Sequence, residues 1–271
     1  MRRIINFLRR VLRSFNSLIE VMSIKIFNSI FGVKGINLGS GQNWRKIGWV
    51  GIDQLDGQML DKNSKFQFSD NSIDYIFSEA FFEHINDEDV DNLLNESSRV
   101  LKKGGKIRLI TPHFEKLLNK YRDGDEKFFT EVTGVNGRPE WEKFGVKKCI
   151  ENYLGHWFAA YDSKDNINDD EFYRGPPIGI EEDIKKKAHE LSLKEFSEWI
   201  VSNIPQERFK KPHGHINWFN YDKFYELLKD KGFKNIKESA CCKSKYSVFL
   251  NDKFDKKFRA GSSLYIEAEK T

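Results

Sequence analysis

The stretch Ile36-Asn37-Leu38-Gly39-Ser40-Gly41 carries an apolar run into a Gly-x-Gly turn. Twelve residues after Gly41, a second apolar run, Trp49-Val50-Gly51-Ile52, closes on Asp53. Glycines at a strand end let the backbone pass beneath a ligand, and a carboxylate at the end of the next strand can accept hydrogen bonds from a ribose diol. The combination points to a nucleotide-like cofactor. The dinucleotide fingerprint asks for a third glycine three positions after the second, where this chain has Trp44, so a nicotinamide dinucleotide fits less well. The plainer role for Asp53 is a turn or cap after a strand.

Histidine is the natural general base near neutral pH. Of the six histidines, His113 directly follows the run Lys106-Ile107-Arg108-Leu109-Ile110-Thr111-Pro112, at the strand edge where open α/β sheets hold their ligands. Glu83-His84 stands ahead of a helical pattern and either orients a substrate or caps that helix. His213 and His215 sit two apart without an evident third ligand, so no metal is expected. The chain lacks a Gly-x-Ser-x-Gly elbow, a Gly-Lys-Ser/Thr phosphate loop and a His-Glu-x-x-His helix, which removes the common hydrolase and kinase readings.

These residues need an alternating α/β scaffold. Strands are expected at about 35–38, 49–53, 73–77, 106–111, 235–242 and 262–269. A helix at about 87–102 is capped by Asn86 or Asp87 and stopped by Gly104-Gly105, and another at 221–231 is stopped by Gly232. Only nine residues run from Gly39 to Gly48, short for a crossover helix, so the first crossover is abbreviated. Residues 114 to about 215 break the rhythm with a long, charged, aromatic-rich stretch. Too long for a structureless loop, it reads as a mostly helical insertion over the carboxyl edge of the sheet. Acceptor choice would reside there.

A chain of 271 residues with 39% hydrophobic and 14% aromatic content is globular, and its length suits one domain with a substantial insertion. Net charge is +4, but residues 1–31 hold six cations against the single Glu20, which leaves the remaining 240 residues near neutrality. No basic field covers the body of the protein, so nucleic acid is not an expected partner. Cys149, Cys241 and Cys242 form no disulfide framework or Cys-x-x-Cys site and read as buried, reduced thiols of a cytoplasmic protein. Residues 1–31 place Ile4, Leu8, Val11, Leu12, Phe15, Leu18, Ile19, Met22, Ile26 and Ile30 at helical spacing, with arginines between them. That amphipathic helix packs on the domain or lies on an anionic membrane surface, peripheral to the inner face. A basic, acid-poor start also suits a mitochondrial presequence.

The ordered series INLGSG, VGID, FSDNSIDYIFS, FFEHI, SSRVLKKGGKIRLITP and FYELLKDKGFKNI resembles the class I S-adenosylmethionine-dependent methyltransferases, in their type 11-like group, over about 33–113 and 216–269. The resemblance implies a Rossmann-like, doubly wound sheet of seven strands, mostly parallel with the last antiparallel, covering residues 32–271 with the insertion after its fifth strand. It implies that Gly39, Ser40 and Gly41 pass beneath S-adenosylmethionine, that Asp53 holds its ribose, that Gln54 flanks the adenine, and that Ser78 and Glu79 face its methionine part. Two positions depart from the family pattern. Lys62 stands where an acid commonly bonds the adenine amine, with Asp61 and Asn63 beside it, and Ala80 stands where relatives often carry histidine.

The resemblance implies methyl transfer to a small molecule, sugar or surface-glycan precursor, with His113 or His84 as base if the acceptor is a hydroxyl. A noncatalytic binding protein on the same fold and an NAD-linked sugar-modifying enzyme are the alternatives.

Overall fold

A computed structural model describes residues 19–41, 44–53, 60–129, 150–159, 179–204, 214–251 and 253–271. Among them, six strands form one sheet: β1 (Gly35–Leu38), β2 (Trp49–Ile52), β3 (Ile73–Glu79), β4 (Leu101–Pro112), β5 (Phe233–Ser239) and β6 (Ser263–Lys270). The order is β2-β1-β3-β4-β6-β5. The first four run parallel, and β6 lies antiparallel between β4 and β5.

One face of the sheet presents Ile36, Leu38, Ile76, Ile107, Leu109, Leu264 and Ile266 to α2 (Asp87–Val100) and α7 (Tyr221–Asp230). Alternation along the strands sends Trp49, Phe77 and Tyr265 to the other face. Among the described residues no helix lies between β1 and β2 to cover that side, their link being short. It is sealed instead by the segment 240–262, whose Phe249 and Phe254 pack against Trp49 and Phe77. At its centre Arg108 is fully buried, bonded to Asp255 (2.9 and 3.1 Å), Ser239 (2.6 Å) and Glu267.

The sequence differs from the structure at several edges. The expected seventh strand is not found among the described residues. After β2, residues 60–70 are held by side chains of α2: Asn92 donates to Asp61 O and Ser64 O, Glu96 accepts from Phe66 N, and Arg99 donates to Phe66 O and Phe68 O. Backbone groups satisfied in this way have no need of a sheet partner. Helix α2 also ends at Val100 rather than at the glycine pair. Leu101 turns extended and pairs with Ile73, and Gly104-Gly105 lies inside β4, where a Cβ on Gly105 would stand 2.8 Å from Lys102 O. The thiols are not all buried, since Cys242 is exposed and Cys241 partly so, while Cys149 lies outside the described residues.

The described structure between residues 114 and 204 is helical: α3 (Phe114–Arg122), α4 (Ile150–Ala159), α5 (Glu181–Glu190) and α6 (Leu193–Ser202). These helices share their own core of Phe114, Leu117, Leu154, Phe158, Ile184, Phe196 and Ile200. At the other end of the chain, residues 19–31 form a helix, α1, closed by Gly32 at φ +76. Asn28 anchors it, donating to Trp49 O and accepting from Gly48 N.

Candidate functional site

The carboxyl ends of β1, β2 and β3 meet at one edge of the sheet, where an open parallel sheet leaves backbone groups for a ligand. Gly39 and Gly41 both adopt positive φ, +65 and +68, which lets the chain reverse directly after β1. The two glycines are required for different reasons. A Cβ on Gly39 would fall 2.3 Å from the Phe81 ring, so that glycine lets the segment after β3 close over the turn. A Cβ on Gly41 would meet nothing within 4 Å and would project into open space.

Asp53 is buried at the end of β2, and its Oδ2 accepts the Gly41 N–H at 2.7 Å. The expected acid and the expected turn are thus in contact, with Ser40 between the two glycines and its hydroxyl against Gly41 O. An ionised carboxylate offers about four lone-pair sites. A glycine turn open on one side and a carboxylate beside it can receive a ligand that bears hydroxyl groups. Gln54 lies outside the described residues.

Ser78 is buried, and its hydroxyl donates to Leu38 O at 3.0 Å, so it ties β3 to β1. Glu79 is held by Lys256 (2.7 Å) and Arg259 (3.5 Å) from the segment that seals the second sheet face. Ala80 follows at φ +52, an uncommon backbone for a residue with a Cβ, fixed by its N–H bond to Ile110 O. At the departed adenine position, Lys62 pairs with Glu88 at 2.8 Å, and Asp61 accepts from Asn63 N and Ser64 Oγ within its own turn.

His113 and His84, the two candidate bases, occupy different surroundings. His113 caps α3, its Nδ1 facing Lys116 N at 3.4 Å, with Nε2 3.7 Å from Glu238 of β5. Burial and the neighbouring Lys116 cation hold its pKa down at about 4. His84 lies in a short 3-10 turn (Phe82–His84), its Nδ1 bonded to Gly214 O at 3.0 Å. His215 stands across from it with ring centres 4.8 Å apart.

Sequence reasoning left His215 beside His213, which lies outside the described residues. The fold pairs His215 with Glu83-His84, 131 residues away from His84, and no local spacing could have announced that. Glu83 itself is buried, neither carboxylate oxygen makes a full hydrogen bond among the described residues, and burial pushes its pKa up to about 8 against the weaker opposing pull of the Glu83 and Phe81 amides and Arg259.

Residues 44–109 match the family model described as a methyltransferase domain. That interval holds Asp53, Ser78, Glu79 and His84 and stops just short of the end of β4. No curated protein matches the sequence. Similar solved structures include an S-adenosylmethionine-dependent methyltransferase of Mesorhizobium loti, 13% identical over 88% of this chain and 91% of that one, with a TM-score of 0.37. One from Thermotoga maritima is 14% identical over 98% and 97% of the two chains, with a TM-score of 0.38. A phosphoethanolamine N-methyltransferase of Haemonchus contortus with S-adenosylmethionine bound is 14% identical over 92% and 52%, with a TM-score of 0.36.

Proposed function

We propose, from the premise that this chain carries a class I S-adenosylmethionine-dependent methyltransferase domain of the type 11 group, that it methylates a small molecule, sugar or surface-glycan precursor. The observation that carries the reading is the contact between the Gly39–Gly41 turn, which precedes the matched interval, and Asp53 within that interval.

S-adenosylmethionine supplies a sulfonium methyl that is already activated. The protein's work is then to bind, orient and exclude water, and orientation can contribute most of the rate. In this reading Asp53 accepts from the ribose, and the bare backbone of Gly39 to Gly41 lies under the donor. Glu79 faces the methionine end, held in place by Lys256 and Arg259. The helices between 114 and 204, with the 214–219 segment, supply the acceptor side.

The test is calorimetric titration with S-adenosylhomocysteine followed by turnover assays on a hydroxyl-bearing acceptor panel. Binding in the micromolar range that Asp53→Ala abolishes, with methyl transfer to a sugar-like acceptor, supports the reading. Absence of binding overturns it, and binding without turnover on any acceptor favours a noncatalytic role.

The reading extends to a peripheral membrane contact through the amino-terminal segment. No described helix is long and apolar enough to cross a membrane. Helix α1 nonetheless exposes Ile19, Met22, Ile26, Ile30 and Phe31, with exposed Ile47 in the loop that Asn28 anchors, and arginines precede it in sequence. Apolar side chains beside cations suit an anionic bilayer surface. Co-sedimentation with anionic but not neutral vesicles supports this contact, and equal recovery with both refutes it.

A further inference from the structure

Backbone hydrogen bonds hold Glu83, His84 and His215 together. Ile216 and Asn217 donate their N–H groups to Glu83 O at 2.9 and 3.1 Å, and Asn217 Nδ2 reaches Ile85 O and Asp87 at 3.0 Å. Gly214 O accepts from His84 Nδ1, and Trp157 O of α4 takes His215 Nδ1 at 2.6 Å. Each carbonyl fixes its imidazole as a donor at Nδ1, which places the ring lone pair at Nε2. A carbonyl on the other ring nitrogen is also how proteins orient histidines that bind metals.

Glu83 is the independent observation. Its side chain is 1% exposed, and neither oxygen makes a full hydrogen bond among the described residues, the Phe81 and Glu83 amides serving only as weak donors, an arrangement that costs stability unless something else satisfies it. Oε1 lies 4.0 Å from His84 Nε2, and one ligand atom from each of the three residues falls within 4.8 Å of the others. An ion with bonds of about 2 Å holds its ligands roughly 3–4 Å apart, so small side-chain rotations close the set. Two imidazoles and one carboxylate, with no further ligand of this kind grouped with them among the described residues, suit a first-row divalent metal such as zinc and not calcium or magnesium.

We propose that Glu83, His84 and His215 form a mononuclear site for a divalent transition metal at the acceptor side of the cleft. The site begins four residues after Glu79, at the carboxyl end of β3, and is closed by residues 214–217. Resting on the methyl-transfer reading, its ligand beyond the protein is an oxygen of the acceptor, which makes hydroxyl-bearing acceptors the substrate class.

The full-length protein, stripped with a chelator, is titrated with cobalt(II) by visible absorption and with zinc against a chromophoric chelator. Binding of S-adenosylhomocysteine is measured on the same samples. One equivalent of metal is expected, with affinity reduced at least about 100-fold in Glu83→Gln and in His215→Asn, a larger loss than removal of an outer-shell partner causes. The pair Cys241→Ser and Cys242→Ser should leave binding unchanged, because those thiols with Asp255 form the other described group with metal-ligand spacing. Circular dichroism checks folding, and His84→Asn replaces Glu83→Gln if the latter unfolds. Failure of the wild type to take up metal, or undiminished binding in the variants, overturns the site. Loss of S-adenosylhomocysteine binding alone would strike the methyl-transfer reading and leave the metal result standing.

Discussion

The Gly41 amide and the Asp53 carboxylate, twelve residues apart, meet at 2.7 Å across the carboxyl ends of two adjacent parallel strands. Asp53→Asn keeps an oxygen for that amide but removes the charge. Charge-assisted bonds contribute about 1.5–3 kcal/mol, so S-adenosylhomocysteine affinity should fall about 10- to 100-fold while the melting temperature barely moves. Calorimetry and thermal melts read the two effects separately, and a large melting shift with unchanged affinity would assign Asp53 to the turn alone.

Gly39→Ala and Gly41→Ala should part company. Both force a side chain into the left-handed region at about 1–2 kcal/mol, but only at Gly39 does the new methyl also meet the Phe81 ring. Gly39→Ala should unfold at markedly lower denaturant. Gly41→Ala should fold with a modest loss and show its defect in cofactor titration.

Arg108 lies fully buried between Asp255 and Glu267, and the segment that covers the second sheet face is pinned to it. Arg108→Met would strand two buried carboxylates, and breaking a buried pair costs about 3–5 kcal/mol. Urea denaturation should show a loss of that size, whereas Lys62→Ala, which removes an exposed pair with Glu88, should change stability by less than about 1 kcal/mol.

Folded His113 stays neutral down to about pH 4, whereas an unfolded histidine takes up its proton near 6.5. Around it, Lys116 opposes protonation, and Glu238 at 3.7 Å is half exposed and too distant to offset burial. Between those limits the unfolded state binds more protons. Stability is therefore retained above pH 6.5 and declines as pH falls through that window, by about 3 kcal/mol at most. His113→Asn keeps a capping side chain for α3 and removes the titration. Urea midpoints followed from pH 7 to 4 should drop less in that variant than in the wild type, and parallel curves would refute the assignment.

The sequence by itself determined the alternation of strands and helices, the glycine turn, the acid after β2 and the shortness of the first crossover. All of these follow from local periodicity, from the freedom of glycine and from residue spacing. It misplaced the stop of α2, because a glycine pair reads as a helix end even when it lies inside a strand. It could not reveal that side chains of α2 hold residues 60–70 off the sheet edge, or that Phe254 and Asp255 seal a face left bare by the missing crossover helix. Nor could it bring His215 to Glu83-His84, because that meeting depends on Glu83 O accepting two amides from a segment more than a hundred residues along the chain. Such contacts belong to the packing of distant segments, where burial and hydrogen-bond satisfaction decide the partner and sequence distance carries no information.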